Sequence, residues 1–164
     1  NQALKLKTQK FDLVEVVSQT VRLMQPLAEK KQLTLQYDGL LSAQVHADEQ
    51  KVKQLVLILV DNAVKYTPAN GSVLVHLAAG RDKDKVRLSE ADTGIGISQE
   101  EQERIFDRFY RVDKSHSNQK EGSGLGLSIV KHGAKFHHAE MEVESEVGKG
   151  TKITVVFPRQ NSDL

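Results

Sequence analysis

The chain contains no cysteine. That excludes a disulfide framework and any thiolate metal site, and it fits a reducing compartment. No long apolar run exists either: the longest, residues 55–60, is far too short to span a bilayer. An excess of charge of one sign is missing. The formal net charge is +1, so the balance suggests neither nucleic acid nor an anionic membrane as a partner. No secretory leader, internal repeat or low-complexity segment is visible, and the first residue is Asn. A piece of a longer chain is expected. What remains is 164 residues, 38% hydrophobic and 27% charged, enough for one domain with a real core.

The rest is organised around Asp92-Thr93-Gly94-Ile95-Gly96-Ile97. Val86 and Leu88 alternate with Arg87 and Ser89 ahead of it, which predicts a strand. Asp92 closes that strand, and the glycines allow a tight turn. Ser98-Gln99-Glu100-Glu101 then has the capping-box pattern of a helix start. A carboxylate beside glycines and isoleucines suits a flat, partly apolar ligand with an amino group, such as adenine. An ordinary strand-end turn carries the same residues, so other stretches must decide.

A helix is expected over about 48–66, with Val52, Leu55, Val56, Leu59 and Ala63 as its core face and Asp48 as its cap. Asn62, Lys65 and Tyr66 lie three and four residues apart near its end and should share a face. Two readings stand for them: an amide, an ammonium and a ring converging on a metal, a phosphate and a base, or a solvated helix end.

The remaining elements follow from periodicity. Residues 11–31 predict an amphipathic helix with Val14, Val17, Val21, Met24 and Leu27 inward, interrupted by Pro26. Strands are expected around 33–37, 44–47, 73–77, 85–91, 141–147 and 153–157. Residues 112–121 are polar and predict a mobile loop. It ends in Gly122-Ser123-Gly124-Leu125-Gly126, opening a helix whose exposed amides and dipole suit phosphate. No strand directly precedes these glycines, so they are not a dinucleotide-binding fingerprint, and no G-x-x-x-x-G-K-[ST] loop is present.

In order and spacing, these stretches resemble the four boxes of the sensor histidine kinase ATP-binding domain. Asp61-Asn62-Ala63-Val64-Lys65-Tyr66-Thr67-Pro68 resembles the Asn box, 92–97 the first Gly box, 105–111 the Phe box and 122–131 the second Gly box. Gly150-Thr151 resembles a late Gly-Thr motif. The resemblance covers 11–158, leaving 1–10 as a linker or the end of a preceding dimerisation helix and 159–164 as a frayed tail. It implies an α+β fold: a two-layer sandwich whose mixed, mainly antiparallel sheet is covered on one face by helices, shared with gyrase, heat-shock chaperone and mismatch-repair ATPases.

It also implies roles. Asn62 would coordinate Mg²⁺, Lys65 would touch phosphate, Tyr66 would lie on the adenine of ATP, and Asp92 would accept from its amino group with help from Thr151. Gly94, Gly96 and Ile97 would shape the base pocket. Gly122, Gly124, Leu125 and Gly126 would shape the phosphate end, under a lid over 112–121. Arg108 and Arg111 would reach the phosphates. The implied reaction moves the γ-phosphoryl of ATP to a histidine in a separate dimerisation domain, and a response regulator is reached through the full-length kinase. No nucleic acid and no direct membrane contact are expected. The domain itself would be a cytoplasmic monomer, its parent anchored in the cell membrane.

Several residues depart from the family pattern. Ile58 stands where a second Asn is common. Glu90, in register with Val86 and Leu88, is usually apolar. His137-His138-Ala139 stands where two glycines often follow a His, and Gly133 replaces an aliphatic. Ile58 bears on catalysis, and the other three on stability more than on nucleotide binding. None of the six histidines is followed by the Glu and Pro of an acceptor site. A non-catalytic nucleotide-responsive module is the alternative reading. A chaperone- or topoisomerase-type ATPase is disfavoured by the Phe box and by the second Gly box running straight into a helix.

Overall fold

The computed structural model describes residues 7–107 and 126–159. Five strands form one sheet in the order β2-β4-β5-β7-β6: β2 (Thr34–Gly39), β4 (Ser72–Ala79), β5 (Lys85–Asp92), β6 (Glu140–Glu146) and β7 (Gly150–Pro158). The β2–β4 pair is parallel and the others antiparallel. β1 (Gln9–Asp12) and β3 (Gln44–Ala47) make a separate antiparallel pair. The helices are α1 (Leu13–Lys30), α2 (Glu49–Tyr66), the four-residue α3 (Gln99–Gln102) and α4 (Gly126–Phe136). This is the α+β class expected.

The core lies between the sheet and the helices, with α2 in the middle, touching α1, α4, β4 and β5. Alternation along the strands builds it. Val73, Val75 and Leu77 of β4 are buried, as are Val86 and Leu88 of β5 and Ile153, Val155 and Phe157 of β7. Each such side chain contributes roughly 1.5–3 kcal/mol. The other face is polar at the β6 edge, where Glu140, Glu142, Glu144 and Glu146 are all exposed.

The first helix differs from expectation at its start. It begins at Leu13, because Phe11 is used in the ladder opposite Val45. Asp12 is extended and accepts from the Val14 N–H at 2.9 Å, a side-chain cap. The core stripe is Leu13, Val16, Val17, Thr20, Val21, Met24 and Ala28, while Leu27 is 51% exposed. The helix continues past Pro26 to Lys30; proline there withholds only the N–H that would bond Arg22. Lys31 Nζ donates to the carbonyls of Val64 and Lys65 at 2.7 and 2.9 Å. A cation on the last carbonyls of α2 fixes the helix end that carries Asn62 and Tyr66.

His137 ties α4 to the start of α2. It is fully buried. Its Nε2 accepts from the Asp48 N–H at 3.1 Å, and its Nδ1 lies 2.8 Å from the Gly133 carbonyl, so the neutral Nδ1–H tautomer satisfies both. His138 closes α4 at φ 54°, with Ala139 N–H on the Ala134 carbonyl and His138 N–H on Lys135. This is a Schellman ending, which explains why a glycine fits where His138 stands.

Burial lowers the His137 pKa, only partly offset by the Gly133 bond. In the unfolded chain the imidazole takes a proton near its ordinary pKa, which the folded state resists. The stability His137 supplies is therefore complete above that value and is lost as pH falls below it. Melting temperature measured from pH 7.5 to 5 should fall, and His137→Gln should flatten that slope. Identical slopes would remove His137 from the account.

Candidate functional site

At the end of β5, α2, β7 and the start of α4 enclose a cleft of about 530 Å³, counted to its open mouth. Asp92 is the last residue of β5 and lies directly across from Thr151 of β7. Its Oδ1 accepts from the Gly94 N–H at 2.9 Å, an Asx-type turn that orients the carboxylate. Ile95 and Ile97 supply apolar wall. The turn is tied down on both sides: Thr93 N–H bonds the Ser72 carbonyl at 3.0 Å, and Ile95 N–H the Tyr66 carbonyl at 3.4 Å.

Ser145 of β6 braces the other wall. Its hydroxyl lies 2.7 Å from the Ile97 N, 2.9 Å from the Gly150 carbonyl and 2.8 Å from Thr151 Oγ1. One arrangement satisfies every group: Ser145 donates to Gly150 and accepts from Ile97 N–H and the Thr151 hydroxyl. Thr151 then faces the cleft as an acceptor. Gly150 is at φ +133°, and a Cβ there would overlap the Asp92 carbonyl oxygen.

Of the residues singled out from sequence, Asn62, Tyr66, Asp92, Gly96, Ile97 and Thr151 line the cleft. Gly94 lies behind it and supports Asp92 through the bond just given. Gly126 sits at the first position of α4; a Cβ on it would lie 3.1 Å from Ile58 Cγ2 and 3.3 Å from Asn62 Nδ2, so Ile58 and Asn62 both face the start of α4. Asn62 Nδ2 donates to the Ile58 carbonyl at 3.0 Å. That contact identifies the nitrogen and leaves the amide oxygen as the acceptor. Arg108, Arg111, Gly122, Gly124, Leu125 and the expected lid at 112–121 lie outside the described residues.

Lys65 is not brought to the cleft. Its Nζ pairs with Asp61 Oδ2 at 3.0 Å, one turn back along α2. At about 100° per residue, Lys65 and Tyr66 flank Asn62 within an arc of about 100°, and of the three Asn62 and Tyr66 line the cleft. Glu90 is the reverse case. Sequence reasoning gave it a bearing on stability, yet it lines the cleft beside Asp92. Burial first, and the Asp92 carboxylate second, raise its pKa well above the usual carboxylate range. Its period-two register with Asp92 was the signal available. Leu59, Ala63, Leu127 and Ile153 complete the wall; Leu59 and Ala63 read from sequence as core, and Leu127 lay within the second Gly box.

The arrangement offers an oriented carboxylate, a second acceptor across from it, apolar walls for a ring and one amide oxygen. No helix among the described residues is long and apolar enough to cross a membrane.

The sequence profile described as histidine kinase-, DNA gyrase B- and HSP90-like ATPase matches residues 47–161. The chain is 36% identical over 161 residues to the sensor histidine kinase YkoH of Bacillus subtilis, covering 98% of this chain and 34% of that protein. It is 36% identical over 162 residues to the non-motile and phage-resistance protein of Caulobacter vibrioides, covering 98% and 19%. The chain thus spans about a third and a fifth of those relatives' lengths. Among solved structures, full-length ShkA in complex with AMPPNP gives a TM-score of 0.80 at 31% identity, covering 98% of this chain and 33% of that one. The catalytic domain of histidine kinase ThkA gives 0.82 at 25%, covering 95% and 98%.

Proposed function

Because the chain belongs to the family of histidine kinase-, DNA gyrase B- and HSP90-like ATPases, we propose that it is the ATP-binding catalytic domain of a two-component sensor histidine kinase. It hands the γ-phosphoryl of ATP to a histidine on a separate dimerisation domain of the same kinase, from which a response regulator is served. The parent is anchored in the cell membrane and this domain, 11–158, works as a monomer in the cytoplasm. The observation that carries the reading is Asp92, held by Gly94 N–H and set across from Thr151 at an apolar cleft. It supplies acceptors where an adenine amino group needs them. The relatives' names and the AMPPNP bound by ShkA support the same reading.

The residues fit the groups this chemistry requires. Mg²⁺ takes oxygen ligands and keeps phosphates and water; Asn62 has an amide oxygen to offer, and the ion would neutralise phosphate charge. No cluster of three metal-ligating side chains stands among the described residues. Tyr66 offers its ring to the base. Lys65 must leave Asp61 to touch phosphate, and a partly exposed i,i+4 pair is worth only a few tenths of a kcal/mol, so the exchange is cheap. Arg108, Arg111 and the second Gly box complete the phosphate end of the proposal.

The test is γ-labelled ATP with Mg²⁺, this chain and a separately made dimerisation domain. Acid-labile, base-stable label is expected on that domain and on none of this chain's own histidines. No transfer with intact ATP binding would favour the second reading, a nucleotide-responsive module without catalysis. Ile58 favours that second reading: its side chain lies against the start of α4 where a second amide is common. Isoleucine offers no ligand to a water or an imidazole. Ile58→Asn is expected to raise transfer about tenfold or more with ATP affinity nearly unchanged. Equal rates would make the amide dispensable.

A further inference from the structure

β5 presents two carboxyl groups to the cleft, Glu90 and Asp92, two residues apart and so on one face of the strand. Asp92 ends the strand. Glu90 lies one pleat further in and is 2% exposed. Directly across from it are Val75 of β4 and Ile153 of β7, which offer no donor. From above, α2 contributes Leu59 and Ala63 to the same wall, and α4 contributes Leu127. The titratable side chains among the described lining residues are Glu90, Asp92 and the phenol of Tyr66; none is a cation. Glu90 Oε2 is fully buried and has no partner among the described residues. A carboxyl so placed, desolvated and beside a second carboxylate, holds its proton. It therefore brings an O–H donor to a cleft whose other base-facing groups are acceptors.

We propose that Glu90 is a second base-reading residue, which as the neutral acid donates its O–H to the purine ring nitrogen beside the amino group that Asp92 accepts from. The proposal rests on the adenine-nucleotide reading above. The edge of a 6-aminopurine presents a donor and an acceptor side by side: the amino group and N1. An ionised carboxylate and a carboxylic acid side by side are the complementary pair. Without a base, Glu90 has only the neighbouring Asp92 carboxylate to turn to. With a base present it turns to N1, and the vacated Asp92 oxygen takes the amino hydrogen. No proton changes owner, so the arrangement holds only while Glu90 is protonated. A guanine base offers a carbonyl in place of the amino group and an N–H in place of the acceptor, which opposes both residues at once.

The test compares ADP with its analogue in which N1 is replaced by C–H and the amino group kept. Both are titrated with Mg²⁺ into the whole chain and into Glu90→Gln and Glu90→Val, from pH 6 to 9.5. Taking the ratio of the two affinities cancels phosphate titration. The native chain should prefer ADP by about tenfold at pH 6, and that preference should weaken only where Glu90 ionises. Glu90→Gln, whose amide also donates, should keep the preference at every pH. Glu90→Val should lose it while melting at a higher temperature than the native chain, having no carboxyl to bury. A native chain that binds ADP and the analogue equally well at pH 6 overturns the proposal without needing either variant to fold. So does a preference independent of residue 90. If ADP itself fails to bind at any pH, the nucleotide reading falls and this one with it; if ADP binds normally but without that preference at pH 6, only the role of Glu90 falls.

Discussion

Asp92→Ala is expected to weaken binding of Mg-ATP or Mg-ADP ten- to a hundredfold. A hydrogen bond to a charged group is worth about 1.5–3 kcal/mol, and this carboxylate is oriented before any ligand arrives, through its bond with the Gly94 N–H. Preorganisation means that little of that energy goes to ordering the side chain. The substitution also frees Gly94, so part of the loss arises from a looser turn. Asp92→Asn separates the two effects. Its amide oxygen can keep the Gly94 bond, while the charge is gone and one side of the group now donates. It should lose most of the affinity with the turn intact. GTP should bind poorly to the native chain, since its base presents a carbonyl where adenine presents the amino group. Calorimetry giving Asp92→Ala the native affinity would refute the assignment.

The largest effect on stability is expected from Gly150→Ala. Gly150 is at φ +133°, where an L side chain is strained, and a Cβ would overlap the Asp92 carbonyl oxygen and lie 3.1 Å from the Thr93 Cα. Such a backbone conformation costs about 1–3 kcal/mol. Displacing a packed backbone adds about 1–3 kcal/mol. The sum is about 3 kcal/mol or more, and the atoms that must move are those that carry Asp92, so nucleotide affinity should fall together with the melting temperature. Gly148, in the same hairpin, is the control. It also has a positive φ, +84°, but nothing lies within 4 Å of its Cβ. Gly148→Ala should therefore cost about 1 kcal/mol and leave binding alone. If chemical denaturation finds the two variants equally stable, the contact with Asp92 is not what makes residue 150 a glycine.

What could be read from the sequence was whatever depends on neighbours along the chain. Alternation located β3 at 44–47 and β5 up to Asp92, and spacings of three and four located α2 and its buried face. The capping residues Asp48 and Ser98 were legible because a cap acts within three residues. What failed depends on partners distant in sequence. Phe11 fits a helical stripe as well as a strand, and only its pairing with Val45 decides. His137 resembles any helix-end histidine until Asp48 is placed against it. Ser145 was one polar residue in an alternating strand; the register of β6 on β7 makes it the brace of the cleft. Lys65, expected to touch phosphate, is held here by a local partner: Asp61 lies four residues earlier, and the nearer opposite charge takes the ammonium. Glu90 was read correctly as facing the core, but which part of the core is hollow is not written in any periodicity.

The four glutamates of β6 have a consequence beyond the cleft. β6 is an outer strand of the sheet: among the described residues its ladder partner is β7 alone, with the Gln102 side chain on the Ser145 carbonyl. Such a margin is a template on which a second chain can add a strand, and the route by which sheets polymerise. Glu140, Glu142, Glu144 and Glu146 stand at every second position along it and are exposed. Among the described residues, Arg87 pairs with Glu142 and Lys149 with Glu146. Two such margins brought together, in either direction, set like charges against like, which is destabilising for residues directly opposite. The row of carboxylates thus acts as a fence against fibre growth. It does so without spending any residue of the core on the task.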